Sequence, residues 1–385
     1  MNGSGAAQNT IAETVARLHR EAPLTDVHVH PSLKLFLFNR RFDRHYMSGK
    51  VFNPFASRSD LPMLLKGGVG VVWSAAHLPE RQLFDDCFLM RLAALLLVPA
   101  YAKLTRGGLF DRCVEMMQIL ENEVARRPDL AEVARSTADV ARIRQAGRIA
   151  VVHTVEGAHV LEGRIERLDQ LAARGVAMIT LTHFYRNGLV SQVDAIPNDL
   201  FIKKICRFNF ETGGTPALSD FGREVLHRMA ALKILVDVTH CHPEARAAVF
   251  QETGTSRPLV ASHTGVARYH ADPYNLRDDE IRHIAATGGA VGVILMPYWL
   301  SSLRPRNGRS IVAETMDHIH HVTGSWDHVM LGTDFDGFTD PPDDLEDASR
   351  LPRLTELLLQ RGLSESDVSK ILGGNAARVL KAAWR

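Results

Sequence analysis

Eight short apolar runs, each of strand length and each separated from the next by helical or irregular chain, restrict this sequence to few folds. They are LTDVHVH (Leu24 to His30), VGVVWSAA (Val69 to Ala76), IAVVHTVEG (Ile149 to Gly157), VAMITLTHF (Val176 to Phe184), ILVDVTH (Ile234 to His240), PLVASHTG (Pro258 to Gly265), AVGVILM (Ala290 to Met296) and VMLGTDFDG (Val329 to Gly337). Connectors such as IERLDQLAARG, FGREVLHRMAALK and DDEIRHIAATGG carry apolar residues at helical spacing. Near-continuous apolar strands joined by helices belong to a parallel sheet covered on both faces, and eight such units predict an α/β fold, a (β/α)8 TIM barrel. A doubly wound open sheet is the alternative, but no G-x-G-x-x-G follows the first strand.

Residues 1–23 read as an N-terminal helical lead-in and residues 24–385 as one barrel domain. The second crossover is elaborated, with a helical region from about Arg81 to Gln145 interrupted near Gly107 and Pro128. Pro31 to Asp60 is expected to be a long irregular excursion, and its Phe- and Arg-rich part from Leu35 to Phe55 suits a substrate lid or a dimer contact. LAALLLVPAYA, Leu92 to Ala102, is about half a membrane span and contains Pro99, which predicts a buried helix.

Lys and Arg total 45 against 44 Asp and Glu, so total charge recruits neither nucleic acid nor a membrane. Cys87, Cys113, Cys206 and Cys241 show no paired spacing. Free thiols in a reducing compartment are the simplest expectation, and with no apolar leader this points to the cytoplasm.

Chemistry collects at strand ends. His28 and His30 end the first run and alternate with Val27 and Val29, so the two imidazoles are expected on one face, ahead of Pro31, which cannot continue a ladder. Alone, HVH is equally what two solvent-facing histidines would give. Glu156, His183, His240, His263 and Asp334, however, end five further strands. All carboxyl ends of a barrel face one way, so these groups converge. Imidazoles and carboxylates suit Zn²⁺, and the set exceeds what one tetrahedral ion needs. Two ions bridged by a carboxylate and a hydroxide would use the surplus, and hydrolysis follows from such a centre.

PLTDVHVH, DLPMLLKGGVG, VEGAH, TLTHF, LSDFGREVLHRM, LVDVTH, SHTGV, DHIHHVTG, LGTDFDG, LEDASRLP and GNAARVL stand in one order from about Leu24 to Leu380. In these the chain resembles the membrane dipeptidase (renal dipeptidase, peptidase M19) family of zinc hydrolases, within the amidohydrolase superfamily. The resemblance implies two Zn²⁺ ions per chain, one on His28 and position 30, the other on His240 and His263, with Glu156 bridging. It further implies attack by a metal-bridging hydroxide on the amide of a dipeptide. Asp334 would carry the proton to the leaving amine, and His183 would orient the scissile carbonyl. A homodimer is implied too.

Two departures stand out. The family carries Asp where this chain has His30, which makes the centre one unit more positive. Its carboxylate-clamping arginine falls on Tyr274, which cannot make a bidentate fork; Arg268 or Arg277 could substitute, or be solvated surface charges. A related amidohydrolase acting on N-acyl amino acids, lactones or cyclic amides is therefore the alternative activity, and a catalytically inactive barrel used for binding the alternative class. His318, His320 and His321 precede the last strand on a helix, away from the carboxyl ends, and are expected at the surface. Asp336 is expected to share the face of Asp334 by alternation.

Overall fold

The structure is a computed structural model that describes residues 3–47, 49–50, 52–213 and 216–384. The strands are β1 Leu24–Val29, β2 Val69–His77, β3 Ala131–Ala134, β4 Ile149–Glu156, β5 Met178–Thr180, β6 Leu235–Asp237, β7 Leu259–Thr264, β8 Ala290–Val293 and β9 Val329–Leu331. All pair in parallel, in the order β2-β1-β9-β8-β7-β6-β5-β4-β3, and a β2–β4 ladder closes the cylinder. Eight strands thus form a (β/α)8 barrel, as expected, and β3 is an addition. It pairs with Ile149–Val152 of β4, while β5 takes Thr154–Glu156 further along the same edge.

One side chain from each barrel strand forms an inner layer of a single apolar cluster: Val27, Trp73, Val152, Met178, Leu235, Val260, Ala290 and Met330. The closing helix Asn375–Ala383 seals the amino-terminal end, adding Val379, Leu380 and Trp384 to that cluster. The ligand-bearing ends are left at the opposite mouth.

The lead-in helix Gly3–Glu21 docks through His19, whose ring nitrogens lie 3.0 Å from Gly67 O and 2.8 Å from Thr355 Oγ1. Several expectations need correction. Strict alternation in β1 fails, because a register shift between Asp26 and Val29 puts Val27 in the inner cluster and Val29 in the outer one. Pro31 opens a helix, Pro31–Phe38, since a proline at the first helical position gives up a donor the helix does not need. Ser48 and Val51 of the excursion lie outside the described residues.

The thiol expectation is also overturned: Cys87 and Cys206 form a disulfide across 119 residues, and only Cys113 and Cys241 are free, both buried. Spacing could not reveal the pair, because tertiary folding of two remote segments brings it together. Leu92 to Ala102 is helical only in part, and Leu92, Leu95, Leu96 and Leu97 are exposed rather than buried. Among the described residues no helix is long and apolar enough to cross a membrane.

Candidate metal centre

Glu156, the last residue of β4, is the point on which the strand ends close. Its Oε1 lies 3.3 Å from His28 Nε2, 3.2 Å from His240 Nε2 and 3.3 Å from His263 Nε2. Its Oε2 lies 3.5 Å from His30 Nε2. The imidazoles form two facing pairs, His28 Nε2 with His30 Nε2 at 3.0 Å and His240 Nε2 with His263 Nε2 at 3.1 Å. All five residues are buried. Burial alone would raise the Glu156 carboxyl, but the surrounding imidazoles, His28 foremost, hold it well below the usual carboxylate range.

A polar layer beneath fixes two of these rings. Asp237, at the end of β6, accepts from Thr180 Oγ1, from Thr239 N and Oγ1, and from Ser262 N and Oγ. Ser262 Oγ also lies 3.2 Å from His28 Nδ1 and 2.8 Å from His263 Nδ1. With its only proton given to Asp237, the hydroxyl accepts from both rings, so each ring carries its hydrogen on Nδ1 and turns a lone pair toward Glu156. Asp26 closes the layer, accepting from Thr333 N and Oγ1 and from His28 N.

These donors fit divalent metal. A spacing of about 3 Å between two imidazole nitrogens suits both as ligands of one ion with bonds of about 2.0 to 2.1 Å. His28, His30 and Asp334 form one potential ligand group, and Glu156, His240 and His263 another.

Asp334 approaches the first group with Oδ1 3.0 Å from His30 Nε2. Burial opposes its ionisation, but the His30 contact and the neighbouring imidazoles keep the carboxyl below its ordinary value. It has a left-handed backbone, φ 57°, as does His240 at 67°. Gly337 permits this arrangement: a Cβ there would come within 2.1 Å of Asp334 Oδ1 and 2.9 Å of His30 Cδ2. Asp336 does not share the face of Asp334. It turns outward to accept from Arg58 N, Ser59 N and Ser59 Oγ, pinning the excursion after β1.

His183 sits on the far side of the mouth, with its ring centroid 4.5 Å from that of His240. Its Nδ1 contacts both oxygens of buried Glu80, at 3.1 and 3.2 Å, and Glu80 Oε1 also accepts from Phe184 N at 2.9 Å. Among the described residues no lysine or arginine pairs with Glu80. Burial lowers the affinity of His183 for a proton, but Glu80 and Glu156 outweigh it and raise the imidazole above its ordinary value. His77, at the end of β2, lies with its ring 4.1 Å from that of His183 and behaves oppositely. Burial, with His183 beside it, pulls His77 down to about 3. Both nearby partners of its Nδ1, Glu156 O at 3.2 Å and Glu156 Oε2 at 3.3 Å, are acceptors, so Nδ1 carries the hydrogen.

Sequence reasoning missed four residues here: Glu80, His77, Asp237 and Ser262. For His77 the signal was available, since the second run continues one residue past Ala76, and the strand-end rule then applies to it. Asp237 and Ser262 stood inside recognised motifs without a role.

The substrate-side candidates do not all gather. Tyr274 is beside the centre and buried, but its hydroxyl donates to His263 O at 2.7 Å and its ring stacks on Trp299 at 4.4 Å. Arg268 is an exposed loop residue, and Arg277 opens the helix Asp278–Ala286 and pairs with Asp279. Neither joins the cluster. His318 contacts Asp278 at 2.8 Å and His320 stacks on Trp326, both away from the mouth.

Among known proteins, the family described as membrane dipeptidase (peptidase family M19) matches residues 12–384. An uncharacterised protein from the pqqA 5′ region of Klebsiella pneumoniae is 30% identical over 72% of this chain and 98% of its own. A dipeptidase of Aspergillus terreus is 26% identical over 84% of this chain and 76% of its own. In fold, the probable dipeptidase PvdM of Pseudomonas aeruginosa aligns with a TM-score of 0.75, at 18% identity, covering 97% of this chain and 98% of the other. A metallopeptidase of Rhodobacter sphaeroides, solved with a phosphinate mimic of L-Ala-D-Ala, aligns with a TM-score of 0.72, at 21% identity, covering 94% and 99%. With a family model matched almost end to end and dipeptidases among its relatives, the chain belongs to the membrane dipeptidase family, M19, of metal-dependent hydrolases.

Proposed function

We propose that this protein is a dipeptidase with two zinc ions, cleaving the amide bond of small dipeptide-like substrates. The two facing Nε2 pairs, at 3.0 and 3.1 Å on either side of Glu156, carry that reading. His28 and His30 would hold one ion, His240 and His263 the other, with Glu156 between them. Zinc there would polarise a scissile carbonyl and acidify water at neutral pH.

The chain's own residues supply the rest. Asp334, ionised and beside His30, would take a proton from attacking water and return it to the leaving amine. His183, with Nδ1 occupied by Glu80, has Nε2 left to donate to the oxygen that gains charge. The metallopeptidase solved with a dipeptide mimic supports a dipeptide as substrate class. Metal analysis of protein purified without added zinc, with a panel of dipeptides, tests the proposal. About two zinc equivalents and chelator-sensitive hydrolysis are expected; amide cleavage that survives verified metal removal overturns it.

One observation favours a second reading of the substrate. The Tyr274 hydroxyl is spent on a backbone carbonyl, and Arg268 and Arg277 lie outside the cluster, so none of the three offers a fork for a free carboxylate. N-acyl amino acids, lactones or cyclic amides would not all require one. Turnover of these with none of dipeptides decides for it.

The Cys87–Cys206 bridge supports an oxidising compartment in place of the cytoplasm expected from cysteine spacing.

A further inference from the structure

Helix Phe88–Leu97, FLMRLAALLL, meets the protein along a single stripe, Met90, Ala94 and Val98, spaced by four. Apart from Arg91 its other faces are apolar too, yet Phe88, Leu89, Leu92, Leu95, Leu96 and Leu97 are exposed, Phe88 by 64% and Leu96 by 73%. A helix this apolar around its circumference is normally covered on more than one side. The short helix Phe201–Ile205 repeats the pattern, with Phe201 73% exposed and Leu200 and Ile205 exposed beside it.

The two helices form one platform. Met90 and Ile202 pack on the same cluster of Leu83, Tyr185, Ile196 and Phe210, so the opposite faces of both helices turn outward together. The Cys87–Cys206 bridge ties the start of the first to the end of the second, with Cα atoms 5.1 Å apart. Asp86 strengthens the join by accepting from Tyr185 Oη and Asn209 N.

Within the two segments themselves charge has one sign, although exposed Asp85 and Asp199 flank them. No Asp or Glu occurs from Phe88 to Arg106 or from Leu200 to Asn209, while each segment carries three cations. Lys103 pairs with Glu115 and Lys203 with Asp194. Arg91, Arg106, Lys204 and Arg207 have no carboxylate partner among the described residues. A second copy packed about a two-fold axis would bring this same cationic patch against itself. A surface of anionic lipid would instead neutralise the four cations and receive the Leu and Phe side chains at the boundary of headgroups and acyl chains. We infer that the platform of Phe88–Leu97 and Phe201–Ile205 docks this protein on an anionic lipid surface. Total charge near zero gives no hint of this, because the attraction is local. The inference is independent of the hydrolytic chemistry at the metal centre.

Cosedimentation of the full chain, with its disulfide intact, tests it against vesicles of equal phosphatidylglycerol and phosphatidylcholine and against phosphatidylcholine alone. Binding to the anionic vesicles is expected, weakened by salt and much weaker on the neutral ones. Leu95→Glu with Leu96→Glu should lower partitioning about tenfold or more with unchanged thermal unfolding. Lys204→Glu with Arg207→Glu should lower it on anionic vesicles only. Wild-type protein that does not pellet, or apolar variants that pellet equally, overturns the inference. So does a dimer in solution that Leu95→Glu and Leu96→Glu split into monomers, which would give the platform to a second copy.

Discussion

Ser262 Oγ gives its single proton to Asp237 Oδ2 at 2.6 Å, and toward His28 and His263 it can then only accept. Ser262→Ala removes the acceptor that holds both rings in one tautomer, and metal affinity should fall about 10- to 100-fold with little change in fold. Competition against a metal buffer of known zinc activity measures this. In the proposed chemistry Asp334 acts on protons more than on metal. Asp334→Asn should therefore keep most of the metal while kcat drops about 10²- to 10⁴-fold, as metal content and turnover on the same preparation will show. Glu80 is a positioning residue: it contacts His183 and raises its affinity for a proton. In Glu80→Gln the raised imidazole returns toward its ordinary value, so the alkaline limb of the kcat profile should move to lower pH, with KM nearly unchanged. A purely structural role for Glu80 would leave that limb in place. The seven strand-end candidates were legible because each is a property of its own strand. Glu80 and Ser262 were not, because what they do exists only between strands.

At the scale of elements, the eight barrel strands were legible because each is apolar on both faces and bounded by turn or polar residues. The bulge in β1 was not, since it arises from pairing with β2 and β9. Nor was the exposure of the Leu-rich helix, because apolarity says only that a surface is to be covered, not by what. Arg246 gives an element-level prediction. It is buried on the helix Pro243–Thr253, bonding Glu280 at 2.7 and 3.2 Å, Cys241 O at 2.8 Å and Pro273 O at 3.0 Å. One guanidinium thus ties the segment just after His240 to the loop and helix that follow His263. Glu280→Gln leaves that charge buried without its counter-ion and should cost about 3 to 5 kcal/mol in stability, read from the urea midpoint. Loss of activity should track loss of fold, because Arg246 touches no ligand.

Across the whole molecule, the stability of the barrel and the occupancy of its mouth are one equilibrium. The four Nε2 atoms gathered around Glu156, paired at 3.0 and 3.1 Å, would bind a divalent ion far better than an unfolded chain does. At free zinc a thousandfold above its dissociation constant the added stability is about 4 kcal/mol, so chelation should lower the unfolding temperature by several degrees and zinc should restore it. The sign of the pH dependence follows from the ligands. Imidazoles bind metal only when neutral, and His30, flanked by Asp334 and Glu156, holds a proton above its ordinary value that a metal must displace. The zinc-dependent increment should therefore be complete on the alkaline side and shrink as pH falls through the imidazole range. Glu156, depressed by its neighbours, adds stability that persists until pH drops below the ordinary carboxylate value of about 4.5 and is then lost. Thermal unfolding from pH 5 to pH 8, with zinc and with chelator, separates the two: curves that converge toward acid place the ion among the histidines, whereas a constant gap would place it on carboxylates elsewhere.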